Sequence, residues 1–304
     1  MLALSTSWKS KELNNGEILL QALEKFDVSG IELDYRIKEA VFHQMKKPLN
    51  RSGLRVVSIH NFFPIPAVIP HSKGGGDLFL LSHPDREERQ RAIQWTIKTI
   101  EHANDLEAKA VILHCGNVKM DTEMEVLYDY WETDRIHSKE AQAFISQKLN
   151  ERDLLKTKHL DGLLFSIDKL IRVAEKQNII LGIENRYHYH ELPGFDDFNI
   201  IFAEFKGGPV RYWHDTGHAF ANEVLTIIQP GALLQNYSEK LIGVHFHDAI
   251  GLDDHLAPGT GKIDFISMKP FLKNDTLLVV ELKPGTPDSE VSQGIQFIRD
   301  NVMN

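Results

Sequence analysis

The chain has 304 residues, is 42% hydrophobic and 25% charged, and carries a formal net charge of −9 with 15 histidines. That apolar content supports a full core and excludes a disordered chain, while the acidic balance argues against broad phosphate-neutralising contact with nucleic acid but not against a local phosphate site. No apolar run reaches membrane-spanning length, the opening MLALSTSWKSKEL lacks the basic start and long apolar stretch of a signal peptide, and the lone Cys115 excludes an internal disulfide, so a cytoplasmic location is expected.

Eight short apolar runs alternate with helical patterns. LALSTS (2–7) comes first, without the glycine-rich turn that a doubly wound dinucleotide fold places after its first strand. GIELDY (30–35) and LRVVSIHN (54–61) follow, and then a Pro- and Gly-rich insertion over 62–83. Residues 84–107 predict a helix with Pro84 in its first turn. KAVILHCG (109–116) leads into a charged, aromatic insertion over 117–150, and 160–177 predict a helix with Asp161 as candidate cap. IILGIENR (179–186), VRYWHDTG (210–217), LIGVHFHD (241–248) and TLLVVELKPG (276–285) complete the set, and a helix over 287–302 closes the chain. Nearly continuous apolar runs suit strands covered on both faces. Their number and alternation predict an α/β fold, a (β/α)8 TIM barrel, as one domain over 1–304 with insertions after strands 3 and 4. Both insertions leave the C-terminal strand ends, where such a barrel builds its site. One is expected to form a substrate lid or wall, and surface decoration is the alternative.

The strand ends carry the chemistry. His60, His114, Glu184, Asp215 with His218, His245 with His247, and Glu281 fall at the same end of six consecutive strands. One such histidine alone would more often be a hydrogen-bonded core residue; six strands agreeing reverse that. Side chains alternate along a strand, so if Asp215 faces inward His214 faces the helices, as a structural residue. His245 and His247 share a face, one as ligand and the other as substrate contact, and Asp248 points away. Imidazole and carboxylate without thiolate suit Zn, Mn, Fe, Co or Mg, and Cys115 has the wrong parity to join them. In the loop after strand 7, Asp253 and His255 are candidates to reach back to the site, and Gly259-Thr260-Gly261 could offer backbone N–H groups to a phosphate. A polar turn with a glycine hinge is the plain alternative.

Glu184, Asp215-x-x-His218, His245, the turn GTGKIDF (259–265) and Glu281 resemble the xylose isomerase-like barrels, a superfamily of sugar and sugar-phosphate isomerases and epimerases that also holds endonuclease IV. The resemblance runs from about strand 2 to strand 8, and IENRYHYHELP and YWHDTGHA resemble members described by analogy as sugar isomerases. The epimerase pattern implies one divalent metal on Glu184, Asp215, His245 and Glu281, with Glu184 and Glu281 as acid/base pair and His218 on a substrate oxygen. It also implies an arginine soon after His245, and DAIGLDDHLAP (248–258) has none. The endonuclease IV pattern implies three zinc ions: His60, His114 and Glu184 on the first, Glu184, Asp215, His245 and Glu281 on the second, and His218, Asp253 and His255 on the third.

The expected activity is therefore a divalent-metal-dependent sugar or sugar-phosphate isomerase or epimerase, in which a carboxylate moves a proton and metal charge stabilises the enediolate. Zn, Mn, Co or Mg, one to three ions, is the expected cofactor. Arg186, His188, His247 and Lys283 are candidate contacts to substrate hydroxyls or phosphate, against rim salt bridging for Arg186 and Lys283. The alternatives are a multi-zinc phosphodiesterase resembling endonuclease IV and a barrel that binds without catalysis. The expected partner is a small carbohydrate. Nucleic acid is disfavoured but stays open, as does homo-oligomerisation, and no membrane partner is expected.

Overall fold

In a computed structural model, which describes residues 1–10, 14–67, 69–70 and 73–304, each of the eight apolar runs contains one strand of a closed parallel barrel. The strands are β1 (Leu2–Ser5), β2 (Gly30–Leu33), β3 (Arg55–His60), β4 (Ala110–Leu113), β5 (Ile180–Glu184), β6 (Val210–Asp215), β7 (Leu241–Phe246), β8 (Asp248–Ile250), β9 (Asp253–Leu256) and β10 (Leu277–Val280). The barrel closes in the order β1-β10-β7-β6-β5-β4-β3-β2, and β8 and β9 form a separate antiparallel hairpin over its mouth. The first and last runs were expected to be longer. A short helix at Ser7–Ser10 ends β1 early, and the chain leaves β10 after Val280.

Two layers fill the barrel. Ala3, Val57, Ala110, Ile112, Trp213, Ile242 and Val279 form an apolar floor. Trp213 occupies its centre because its neighbours are small: a Cβ on Gly243 would lie 2.2 Å from the Trp213 ring, and one on Gly182 3.1 Å. The next inward positions up the strands are Glu32, Ser58, His60, Glu184, Asp215 and His245, all buried. Outward positions on the same strands, among them Val111, Leu113, Leu181, Ile183, Tyr212, Val244 and Phe246, enter the larger core beneath the helices.

The helices depart from expectation at their starts. The first long one is Arg86–Asp105, capped by Asp85, whose carboxylate accepts from the N–H groups of Glu87 and Glu88. Pro84 thus precedes the cap instead of opening the helix. Its buried stripe of Ala92, Ile93, Thr96, Ile100 and Ala103 follows helical spacing. The next, Thr157–Gln177, begins upstream of Asp161, which lies on its exposed side and caps nothing. It starts early because the insertion after β4 is itself helical: Met124–Glu132 and Lys139–Leu155 run straight into it. These two helices bring Leu127, Ile136 and Ile145 into a satellite core with Tyr189 and Leu225, flanked by Tyr128, Trp131 and Leu252. That makes 117–150 a packed wall beside the mouth. The insertion after β3 lies within 62–83, of which 68, 71 and 72 fall outside the described residues.

Candidate metal centre

Four side chains from four strands converge above the Trp213 floor. Glu184, Asp215, His245 and Glu281 place ligand atoms within 4.8 Å of one another, all buried. Register explains part of this: Asp215 pairs with His245 across β6–β7, and His245 with Val279 across β7–β10, two residues before Glu281. His245 is central. Its Nδ1 lies 2.7 Å from Glu184 Oε1 and 2.9 Å from Glu281 Oε2, and its ring meets Trp213 edge-on at 5.0 Å. Its Nε2 lies 3.0 Å from Oε2 of Glu32, to which Ser58 also donates at 2.7 Å.

Glu184 divides its oxygens. Oε1 serves His245, while Oε2 lies 2.7 Å from His114 Nε2 and 3.7 Å from His60 Nε2. His60, His114 and Glu184 form a second group of ligand geometry that shares Glu184 with the first. His60 is oriented by its Nδ1–H, which donates to the Asn61 carbonyl, and His114 by Asp77, 2.9 Å from its Nδ1. Gly76 lies flat on the His114 ring, where a Cβ would come within 2.5 Å of Nδ1.

Asp215 works locally as well. It caps the helix Thr216–Val224, accepting the His218 N–H at 2.7 Å, and donates its own N–H to Asn185. His247 Nε2 lies 2.9 Å from both Asp215 oxygens, and its Nδ1 accepts the His255 N–H at 2.8 Å. Both ring nitrogens are occupied and the residue is fully buried. His247 thus braces Asp215, and with Asp215 and His255 it forms a further group of ligand geometry. His214 faces outward, as alternation requires, and bonds the Tyr212 hydroxyl at 2.6 Å; burial pushes its pKa down to about 4.

A third group differs from the sequence reading. His218 and His255 approach Asp254, and Asp253 instead pairs with Lys283 at 3.1 Å on the rim. The reason is local: His255 has φ +56, and a left-handed residue breaks the two-residue alternation, so Asp254 and His255 both face the site. Lys283, a candidate substrate contact, is thereby a half-exposed rim salt bridge. The GTG turn offers nothing to a phosphate through Gly259 and Gly261. Their N–H groups donate to Asp248, which also accepts those of Ala249 and Ile263. Arg186 is buried, 3.4 Å from Glu184 Oε2, 2.8 Å from Asp77 and 2.7 Å from Glu191. His188 is half-exposed with Nδ1 3.2 Å from Glu191. Cys115 faces the core and joins no ligand group among the described residues.

Sequence reading missed Glu32, Asp77, Glu191 and Asp254. A signal existed for Glu32, a carboxylate inside the apolar run GIELDY, and for Asp254, adjacent to the residue chosen. Asp77 and Glu191 reach the site from loops.

The electrostatics favour a cation. Burial opposes ionisation of Glu184, yet hydrogen bonds from His114, His245 and His60 hold its carboxyl well below the usual range. Burial likewise opposes Asp215 and Glu281, and neighbouring histidines, His218 and His247 for Asp215 and His245 for Glu281, hold them ionised. Burial disfavours charge on His245, but Glu281 and Glu32 carry its pKa well above normal. His114 is pushed up to about 9 against burial and Arg186, chiefly by Asp77. Even with His114, His245 and His255 protonated beside Arg186, the carboxylates of Asp77, Glu184, Glu191, Asp215, Asp254 and Glu281, each held below its ordinary range, outnumber the cations. Buried negative charge of that kind is relieved by a bound metal ion. Carboxylate oxygens with imidazole nitrogen suit a hard or borderline divalent ion, so the residues fit the group.

The family model described as xylose isomerase-like TIM barrel matches residues 20–301. MJ1614 of Methanocaldococcus jannaschii is 25% identical over 216 residues, spanning 68% of this chain and 67% of that one. Among solved structures, a D-tagatose 3-epimerase-like protein superimposes with a TM-score of 0.70 at 16% identity, covering 99% of this chain and 97% of that one. An IolI protein with a bound zinc atom superimposes with a TM-score of 0.64 at 14% identity, covering 99% and 95%. At these identities the superpositions establish a shared fold. No helix among the described residues is long and apolar enough to cross a membrane.

Proposed function

The chain belongs to the xylose isomerase-like TIM barrel family, and from that premise we propose that it is a divalent-metal-dependent isomerase or epimerase of a sugar or sugar phosphate. The observation that carries this reading is the Glu184–Asp215–His245–Glu281 group, an acidic, buried set of donors brought to one mouth of the barrel. A divalent ion held there would supply Lewis-acid polarisation of a substrate carbonyl. Zinc, manganese, cobalt or magnesium suits the donors, and the zinc in the IolI structure supports zinc as the first to try.

This chain's own residues would do the rest. Glu184 on β5 and Glu281 beyond β10 are separated around the ring by β6 and β7, so they reach a bound sugar from different sides. Both are held as carboxylates in the metal-free chain; one would take the proton from a carbon beside the carbonyl and, in an isomerase, return that same proton, whereas in an epimerase the other would have to pick up a proton from solvent before returning it on the opposite face. His218 is fixed by its Nδ1, 3.1 Å from the Asn185 carbonyl, which leaves Nε2 for a substrate oxygen. The Trp213 floor and the surrounding burial exclude water from beneath the reacting carbons.

A second reading, a multinuclear phosphodiesterase, is favoured by the three further donor groups, His60–His114–Glu184, Asp215–His247–His255 and His218–Asp254–His255. Against it, the Arg186 guanidinium already sets a fixed positive charge 3.4 Å from the Glu184 oxygen that a second ion would share. Metal analysis per chain separates the two. The isomerase reading expects one tightly held ion, unchanged in His60→Ala and His114→Ala, and solvent deuterium entering a ketose or ketose phosphate. Two or three ions, loss of one in those variants, and cleavage of abasic DNA would replace it with the hydrolase.

A further inference from the structure

We infer that Glu32, a carboxylate that touches none of the shared ligand space, is a positioning residue that fixes His245 for metal binding. The inference rests on the metal reading above and concerns a residue outside the ligand group.

Glu32 is fully buried on β2, separated from β7 around the barrel by β1 and β10. A carboxylate in that position costs several kcal/mol of desolvation unless it is paired and hydrogen-bonded. Its partners are few and specific. Ser58 Oγ–H donates to Oε2 at 2.7 Å, and His245 Nε2 lies 3.1 and 3.0 Å from the two oxygens. The pleat places both partners: a register shift between Ile31 and Glu32 sets Glu32 opposite Ser58 on β3, so both point inward. Hydroxyl and imidazole N–H therefore converge on one carboxylate beside the Trp213 floor.

The consequence falls on the far side of the ring. An N–H at Nε2 donated to Glu32 leaves Nδ1 as the nitrogen available to a metal, and Nδ1 is the atom that faces Glu184 and Glu281. A carboxylate behind a ligating imidazole fixes its tautomer and plane and raises its basicity, and losing such a partner costs about 10- to 100-fold in metal affinity. No other acceptor lies on Nε2 among the described residues, so Glu32 alone sets which nitrogen is presented. Asp215, Glu184 and Glu281 cannot do this, since they lie on the Nδ1 side.

The test is a zinc titration of the chelator-stripped full chain against a competing chromophoric chelator. The relevant step is the one that Glu281→Gln abolishes. Glu32→Gln, nearly isosteric, is expected to weaken that step about tenfold, and Glu32→Leu, which accepts nothing, about 100-fold. Ser58→Ala, which frees Glu32 without removing it, should weaken it a few-fold and serves if neither Glu32 variant folds. A structural role alone would lower the melting temperature of the metal-free variants and leave the zinc affinity of the folded fraction unchanged. Nitrogen-resolved NMR of the zinc-loaded wild type should show His245 bound through Nδ1 with its proton retained on Nε2. Zinc affinity within twofold of wild type in Glu32→Leu, or coordination through Nε2, overturns the assignment of Glu32 while the metal reading stands. A wild-type chain that takes up no zinc, manganese, cobalt or magnesium overturns both.

Discussion

Asp248→Asn tests how the mouth of the barrel is built. The Asp248 carboxylate is buried and accepts four backbone N–H groups: Oδ1 those of Ala249 at 2.9 Å and Ile263 at 3.0 Å, Oδ2 those of Gly259 at 2.9 Å and Gly261 at 2.8 Å. An asparagine keeps one acceptor oxygen and turns the other into an NH2 that faces two donors. Two backbone N–H groups then lose their partner, and each buried unsatisfied donor costs about 1–3 kcal/mol. Three of the four bonds are only partly buried, so water recovers some of that, and the expected loss is about 2–4 kcal/mol. Urea unfolding with matched thermal scans reads the change, and Asp264→Asn is the control. Asp264 caps an exposed turn through the N–H groups of Ile266 and Ser267, and its loss should cost about 1 kcal/mol or less. A loss in Asp248→Asn no larger than the control's would refute the reasoning that this carboxylate holds the turn together.

Three further outcomes follow from the same geometry. Gly251 has φ +60 and sits under Trp131, where a Cβ would come within 2.2 Å of the ring; Gly251→Ala should lift the hairpin and speed hydrogen exchange at 248–256 at least tenfold, and unchanged exchange would remove Trp131 as its seat. In the metal-free protein His114 and His255 are both pushed up to about 9, His114 by Asp77 and His255 by Asp254, each against burial. Raised histidines stabilise fully below the ordinary value near 6.5 and lose that contribution as pH climbs through 9, so the metal-free melting temperature should fall between pH 7 and 9.5, less so in His114→Gln; a flat profile in both would contradict the pairing. Chelation should lower the melting temperature and zinc restore it in proportion to RT ln(1 + [L]/Kd), and an unmoved melting temperature would mean that the acidic interior needs no cation.

What could be read from the sequence was whatever depends on strand periodicity alone. Eight apolar runs gave eight barrel strands, and two-residue alternation correctly turned His214 toward the helices and Asp215 toward the axis. Periodicity placed Glu184, Asp215, His245 and Glu281 at or near strand ends among other candidates, and the resemblance to the xylose isomerase-like barrels implied these four as one ligand set. Helix starts were less legible. Asp161 resembled a cap because the helical pattern was read from 160 onward, and a helix already under way from Thr157 needs no cap there.

The residues misplaced or missed share one physical cause: they lie where the backbone leaves regular strand geometry. Asp253, which the endonuclease IV resemblance implied as a ligand, turns to the rim, and Asp254 faces the site, because His255, at φ +56, breaks the alternation. Lys283 lies beyond the end of β10, and its carbon stem carries the charge out to Asp253. Asp77 reaches His114 from a loop whose path depends on Gly76 lying flat on the imidazole, a fit set by tertiary contact and not by periodicity. His247 shows the limit of parity even within regular geometry. Alternation placed it on the same face as His245, but which of two inward histidines meets a ligand depends on what occupies each ring nitrogen. Both nitrogens of His247 are taken, by Asp215 and by the His255 N–H, whereas His245 has Glu32 behind it and three carboxylates in front. In this chain the two inward histidines differ in that His245 alone has a buried acid behind it, and that acid, Glu32, is a carboxylate inside the otherwise apolar run GIELDY.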